Sequence, residues 1–286
     1  MSIKVKKIYG WAAFLSALEH MQYRWIFRGN TSHKDSQIRS SLQRFFEREE
    51  IKPKQNRDEI ETELIREFKR AYHQYATHIP DDEAKIHWLS LMQHYGAPTR
   101  LVDFTYSPYI AAFFTLEDTR DKHYSVYAFD STWLFKTSLA KIKDEKGART
   151  DWLEILEKPA TADPMVIDAQ NEAFFTEPFV KSACTQNPFR LNERLHIQKG
   201  VFVVQGDLRT TFMRNIEALP GHNLRQYAVR FDLVLDRKQR REWLSRLHHM
   251  GITRTSLFPG LDGYSQSLGT YVPRLMDIAE RKRKDT

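Results

Sequence analysis

Apolar and polar positions along this chain follow two periods, and each period marks an element. Trp11-Ala12-Ala13-Phe14-Leu15-Ser16-Ala17-Leu18 repeats apolar residues at helical spacing. Arg24-Trp25-Ile26-Phe27-Arg28-Gly29 is short, aromatic and branched, which predicts a buried strand ending at Gly29. Residues 33–48 read as helical or mixed. Over residues 56–76, Ile60, Leu64, Phe68, Ala71 and Tyr72 share one face, the mark of an amphipathic helix. A further helix starts at a cap supplied by Asp81 or Asp82, runs to about Tyr95, and stops at Gly96 and Pro98. Arg100 to Phe104 predicts a strand, 108–117 a short buried helix, and Tyr124 to Phe129 another strand. Ser107 suits the N-cap of the 108–117 helix, with Pro108 at its first position. Further on, 200–206 and 226–233 predict strands, with helices at 208–217 and 236–249.

Residues 131–190 carry a weaker pattern. Helices fit Trp133–Lys143 and Asp151–Leu156, and the remainder suggests an insertion or a loop-rich region. Nothing repeats, and no Pro/Gly-rich linker divides the chain, so residues 1–286 are expected to form a single α+β domain with a mixed sheet flanked by helices. Its 286 residues suffice for a substantial core, and 41% hydrophobic content with 18 Phe, 12 Tyr and 6 Trp argues against disorder. Lys and Arg (44) exceed Asp and Glu (37) by 7. That excess favours an anionic partner, such as nucleic acid, a nucleotide or an acidic protein, although surface lysines that serve solubility would give the same sum.

Cys184 is the sole cysteine, which excludes an internal disulfide framework and a multi-cysteine zinc site. No window approaches the ~20 apolar residues of a membrane span. The start, Met1-Ser2-Ile3-Lys4-Val5-Lys6-Lys7, leads into no secretory apolar core. A soluble, cytoplasmic protein without membrane partners is expected. No His-Glu-x-x-His spacing, Gly-x-Gly-x-x-Gly, Walker A or Gly-x-Ser-x-Gly pattern occurs, so no metal site, ordinary dinucleotide loop or serine nucleophile is expected.

The densest chemistry lies in Gln93-His94-Tyr95-Gly96-Ala97-Pro98-Thr99-Arg100-Leu101-Val102-Asp103-Phe104-Thr105-Tyr106-Ser107-Pro108, followed at once by the apolar run Tyr109–Phe114. Polar heads at the edge of a packed element cost about 1–3 kcal/mol each unless partnered. His94 either caps its helix or serves as a ribose donor or proton shuttle. Thr99, Arg100 and Asp103 either bind ligand or form a structural network with an Arg100–Asp103 ion pair. Tyr95 suits stacking on a ligand, whereas Tyr106 is expected in the core. The planar fork of Arg28 suits a pyrophosphate, with Gly29 allowing close approach; the plain alternative is an arginine at a strand end.

Phe27-Arg28-Gly29, the Gln93-His94-Tyr95-Gly96-x-Pro98-Thr99-Arg100-Leu101-x-Asp103-x-Thr105 run, Arg194–Phe202 and Leu257-Phe258-Pro259-Gly260-Leu261-Asp262-Gly263 together resemble the FRG domain family, in its order, over residues 23 to 270. FRG domains in turn resemble ADP-ribosyltransferases of the Arg/Ser-Thr-Ser/Glu type, whose mixed sheet is split. That likeness implies an NAD-dependent transferase with no metal. Arg28 would hold the NAD phosphates, Thr105 and Ser107 would order the nicotinamide half, and Gly29, His94, Tyr95, Thr99 and Arg100 would complete the NAD site. Gln198 stands where those enzymes place a glutamate. A glutamine oxygen still accepts a hydrogen bond from ribose, but it carries no charge and is no base. Glu193 and Glu177 are the alternative carboxylates. The resemblance also implies a toxin of bacterial anti-phage or toxin–antitoxin type with an antitoxin or chaperone protein as partner, and the basic balance favours RNA as acceptor. Two other readings stay open: a non-catalytic nucleotide- or RNA-binding sensor, and a His94/Asp103 acid–base site of a nuclease or glycosidase.

Overall fold

A computed structural model describes residues 3–21, 23–31, 37–76, 78–117, 123–147, 154–156, 163–187, 193–220 and 224–268. Among these residues seven strands form one mixed sheet: β1 (Lys4–Ile8), β2 (Trp25–Asn30), β3 (Leu101–Thr105), β4 (Tyr124–Asp130), β5 (Ala183–Gln186), β6 (Gly200–Gln205) and β7 (Ala228–Leu233), in the order β1-β7-β4-β2-β3-β6-β5. Only β1 and β7 pair in parallel; every other neighbouring pair is antiparallel. Helices flank the sheet: α1 (Trp11–Leu18), α2 (Ser41–Arg48), α3 (Arg57–Tyr72), α4 (Lys85–His94), α5 (Pro108–Glu117), α6 (Ser131–Lys146), α7 (Pro164–Phe175), α8 (Glu193–Ile197), α9 (Phe212–Glu217), α10 (Leu224–Tyr227), α11 (Arg237–His249), α12 (Arg254–Leu257) and α13 (Leu261–Leu268). The expected α+β class with one mixed sheet holds.

β2 pairs with β4 along its whole length, yet meets β3 at a single register pair, Phe27↔Thr105. The strands splay there. On the face that carries Phe27 and Thr105, two apolar clusters lie on either side of the splay. One gathers Phe27, Val126, Phe231, Phe14, Phe113 and Trp243 from β2, β4, β7, α1, α5 and α11. The other gathers Leu101, Phe202, Val204, Trp88, Ile65 and Phe174 from β3, β6, α4, α3 and α7. Between them β3 presents Asp103 and Thr105, since residues two apart on a strand share a face. The opposite face, with Ile26, Val102, Phe104, Phe129 and Val203, is covered by Phe212 and Ile216 of α9 and Leu134 of α6.

Several expectations are corrected. The described part of 131–190 is not loop-rich: it supplies α6, α7 and the edge strand β5, whose Leu139, Phe174 and Cys184 are buried in the common core. Its apolar residues are spread without a clear amphipathic period because α7 packs with few exposed positions around Val166, Ile167, Ala169, Ala173 and Phe174. The α4 helix starts at Lys85 without a side-chain cap, because Asp81 Oδ1 accepts from the main-chain N of Glu83 in the preceding turn. On α3 the most buried positions are Arg57, Glu61 and Ile65, so the apolar stripe is displaced toward charged residues. The tail Arg281–Lys284 lies outside the described residues.

Glu61 explains the displaced stripe. Arg100, at the start of β3, is 1% exposed; its Nε donates to Glu61 Oε2 at 2.6 Å and its Nη2 to Asp58 Oδ1 at 3.1 Å. Nη1 donates to the main-chain O of Phe174 at 2.8 Å, and the guanidinium lies 4.7 Å from the ring centre of Phe175. Burial opposes its charge, but Glu61 and Asp58 outweigh burial and push the pKa up, so Arg100 stays protonated. The expected Arg100–Asp103 pair therefore does not form; Arg100 turns inward to tie α3 and α7 to β3. Glu61→Ala leaves a buried guanidinium short of its main partner and is expected to destabilise the fold by about 3–5 kcal/mol. Urea denaturation checks this; a loss below 1 kcal/mol removes the pair from its structural role.

Candidate functional site

At the splay, the edges of β2 and β3, the helix α5 and the helix α8 enclose a pocket of about 180 Å³. Arg28, Asp103, Thr105, Arg194 and Gln198 supply its polar wall, and Phe27, Ala111 and Phe114 part of its apolar wall. A side chamber of about 30 Å³ adjoins it, sharing Asp103, Arg194 and Gln198 and adding Gln93 and His94. Side chains from 28 to 198 thus face one cleft.

Arg28 crosses the splay. Its Nη1 donates to the main-chain O of Asp103 and lies 4.0 Å from Asp103 Oδ2. The carbonyl so satisfied lies where the β2–β3 ladder has opened, so the guanidinium substitutes for a strand neighbour. Burial lowers the Arg28 pKa, Asp103 pulls it back up, and Arg44 on α2 lowers it again. Arg44 and Arg194 behave alike: burial lowers both, and Asp103 offsets both. One half-exposed carboxylate thus faces the two guanidinium groups of the pocket wall, Arg28 and Arg194, while Arg44 stands nearby and is offset by Glu47 as well, which leaves the cleft with a surplus of positive charge. That is the electrostatics of an anion site, with Arg suited to bidentate contact.

A chain of side-chain bonds fixes Asp103. Thr99 Oγ1 donates to Gln93 Oε1 at 2.6 Å, and Gln93 Nε2 donates to Asp103 Oδ2 at 2.8 Å. The main-chain N of Thr99 donates to Ser41 Oγ at 2.9 Å. Thr99, expected at the ligand, is fully buried and acts through Gln93 instead. Arg100, expected there too, belongs to the buried ion pair above and lines neither the pocket nor the side chamber.

Thr105 Oγ1 donates to the main-chain O of Gln198 at 2.7 Å and accepts from the main-chain N of Ser107 at 3.0 Å. It stitches the end of β3 to the turn after α8. Ser107 Oγ accepts from the main-chain N of Ile110, the N-cap role expected for it, and is not among the pocket-lining residues. Gln198 Nε2 donates to the main-chain O of Leu257 at 3.0 Å, which fixes its side chain against the segment after α11. The next residue, Lys199, takes a left-handed φ of 47°, a turn that carries the chain from α8 into β6.

Gly29 lines the pocket, but its need for glycine comes from elsewhere. A Cβ there would stand 2.2 Å from the main-chain O of Ala111 and 2.8 Å from the N of Thr115. The close approach is to α5, which corrects the expectation of approach to a ligand. His94 ends α4; burial, then Arg194, lower its pKa, and its Nδ1 is buried without a hydrogen-bond partner among the described residues. Tyr95 is exposed beside it with ring centres 4.8 Å apart. Tyr106 is 40% exposed rather than in the core, because Ser107 turns the chain outward into α5.

The two alternative carboxylates do not reach the cleft. Glu193 is exposed on α8 and lines neither chamber, and Glu177 lines a separate, larger cavity with Asp58, Glu59 and Arg209. Among the described residues Asp103 is the carboxylate in the lining of both chambers, which favours the cleft over the alternative pairing with Arg100. Arg194 was missed as a pocket residue; its place four residues before Gln198, one helical turn away, was the available signal. Phe258 packs against it, 4.6 Å from both Arg194 and Arg254. Among the described residues no group of His, Cys, Asp or Glu is placed to hold a metal ion. No helix of the described chain is long and apolar enough to cross a membrane.

Comparison with known families adds one finding. Residues 23–124 match the FRG domain model, a stretch that takes in β2, α2 to α5, β3 and the first residue of β4. The motif blocks at 194–202 and 257–263 fall outside the match. No curated protein and no solved structure matches the chain.

Two outcomes follow. Gly29→Ala should lower stability by about 1–3 kcal/mol through overpacking against α5, measured by thermal or chemical unfolding; an unchanged stability would return Gly29 to a ligand role. Cys184 is fully buried on β5, and burial pushes its thiol up to about 12. At pH 8 about one molecule in ten thousand would carry the thiolate, so a thiol-specific chromogenic disulfide should react with the native protein only after denaturant is added.

Proposed function

We propose that the cleft binds NAD and that the protein transfers ADP-ribose from it, as an ADP-ribosyltransferase acting on an anionic acceptor. The observation that carries the reading is the meeting of Arg28, Thr105 and Gln198, distant in sequence, around one pocket at the opened β2–β3 junction. In this reading the guanidinium groups of Arg28 and Arg194 hold the diphosphate. The 180 Å³ pocket suits the nicotinamide-ribose end, not the whole dinucleotide, whose remainder lies along the open cleft. With Nε2 of Gln198 committed to Leu257, its Oε1 is the atom suited to accept from a ribose hydroxyl. Asp103, held by Gln93, supplies negative charge toward an oxocarbenium-like centre in place of the absent glutamate. Positioning and charge stabilisation suffice for such a transfer.

RNA is the acceptor favoured by the +7 balance and by Arg44 and Arg194 beside the cleft. A cytoplasmic toxin of anti-phage or toxin–antitoxin type, neutralised by an antitoxin or chaperone partner, is the biological setting that goes with this reading. A second reading, a nucleotide- or RNA-binding sensor without chemistry, is favoured by the replacement of glutamate with Gln198.

Incubation with labelled NAD and separate RNA, DNA and protein pools decides between them. Label in one pool, with nicotinamide released, supports transfer; NAD recovered unchanged together with ligand-induced thermal stabilisation supports the sensor. Arg28→Ala should remove transfer, and Arg28→Lys should lose at least about tenfold by giving up the bidentate fork. Melting temperatures of both variants report whether loss of the bond to Asp103 has instead weakened the fold. Full transfer by a folded Arg28→Ala protein sinks the proposal.

A further inference from the structure

We infer that Phe258 is a positioning residue for the cleft: its ring sets the direction of the Arg194 guanidinium and so governs how tightly the ligand's diphosphate is held. This rests on the NAD reading above. Phe258 is half-buried and lines neither chamber. The guanidinium of Arg194, which lines both, lies 4.6 Å from the centre of the Phe258 ring. Among the described residues no ion pair or hydrogen bond holds that guanidinium. Asp103 and Arg254 act on it as charges, the first raising its pKa and the second lowering it after burial has done so. Its fork of N–H donors is therefore uncommitted, and the attraction of a cation to an aromatic face fixes where the fork points. A free arginine loses conformational entropy when it closes on a phosphate; one already held by a ring has less to lose, so affinity rises.

The ring is itself held from several sides. Thr253 and Ser256 cap α12 reciprocally, each side-chain oxygen accepting from the other's main-chain N at 3.0 Å. That fixes the short helix that ends at Leu257, whose carbonyl takes the bond from Gln198. Gly263 of α13 then closes on Phe258: a Cβ there would collide with the main-chain O of Phe258 and stand 2.7 Å from its Cβ. Phe114, part of the apolar wall of the pocket, meets the Phe258 ring edge to face with centres 5.9 Å apart. Arg254 also lies 4.6 Å from the ring centre, but its Nη1 donates to Glu117 Oε2 at 2.6 Å, so its charge is met by α5. The two arginines on this ring differ in that respect. Arg254 helps to anchor the ring, and Arg194 is what the ring aims.

The test titrates the purified full-length protein and its variants with NAD by calorimetry, with melting temperatures to show that each variant is folded. Phe258→Leu keeps an apolar side chain but has no π face, and should raise Kd about tenfold; Phe258→Tyr keeps the face and should stay within about twofold of wild type. Phe258→Met, closer in length, repeats the comparison should the leucine variant not fold. Arg194→Ala alone should lose at least as much affinity as Phe258→Leu. Since the effect of the ring runs through that one arginine, adding Phe258→Leu to Arg194→Ala should cost no further affinity. A ring that only supported the fold would give losses that multiply. Multiplied losses, or undiminished affinity in a folded Phe258→Leu or Phe258→Met protein, overturn the inference. NAD that binds with this coupling but is never transferred ends the transferase reading and leaves the inference standing, and failure of the wild type to bind NAD overturns both.

Discussion

The structure turns on a break in a sheet and on the side chain that spans it. Where β2 and β3 part after one paired residue, a main-chain carbonyl at Asp103 is deprived of a ladder partner, and Arg28 supplies the donor. A cationic side chain is thereby fixed at the mouth of the opening it closes. The helices on the common face cannot converge there, since each packs on its own apolar cluster, one centred on Phe27 and Phe113, the other on Trp88 and Phe202. The cleft is the seam between two well-packed halves, where half-buried Arg28, Asp103, Arg194 and Gln198 meet the edges of the two cores.

Two arginines, one on β2 and one immediately before β3, show how much context decides. Arg100 is enclosed, matched by two carboxylates and several carbonyl groups, and serves cohesion. Arg28 retains partial exposure and shares the single Asp103 carboxylate with Arg194 in the wall of the cleft, so its charge is only partly offset. Nothing in the residue type separates them. The difference comes from α3, which brings Glu61 and Asp58 to one of them and nothing to the other.

Much of the architecture was legible because local pattern and final environment agree. The strands at 25–30, 124–130 and 200–205 and the helix at 108–117 follow from apolar runs and from Ser107 with Pro108 at the helix start. Within 131–190 the helix at Trp133–Lys143 was legible and falls in α6, whereas α7 and β5 were opaque because they are buried with little periodicity to betray them. At the site, Arg28, Thr105 and Gln198 were legible from their motif setting. The role of Asp103 was not, since it depends on Gln93, Thr99 and Ser41, partners joined across 58 residues. That Asp103, and not Arg100, lines the cleft follows from a carboxylate pair on a helix some 40 residues upstream, which no local spacing announces.

The contact of Leu257 with Gln198, and of Phe258 with Arg194, has a bearing on where this domain can be cut. The FRG match closes at residue 124, at the first residue of β4, before three of the seven strands have been reached. A fragment with that boundary would carry Arg28 and Asp103 but neither the strand that pairs with β3 on its far side nor the wall facing them. The smallest unit able to hold the cleft together therefore extends past Phe258, and the recognisable signature is only the front half of a device whose back half is written in far less conspicuous sequence.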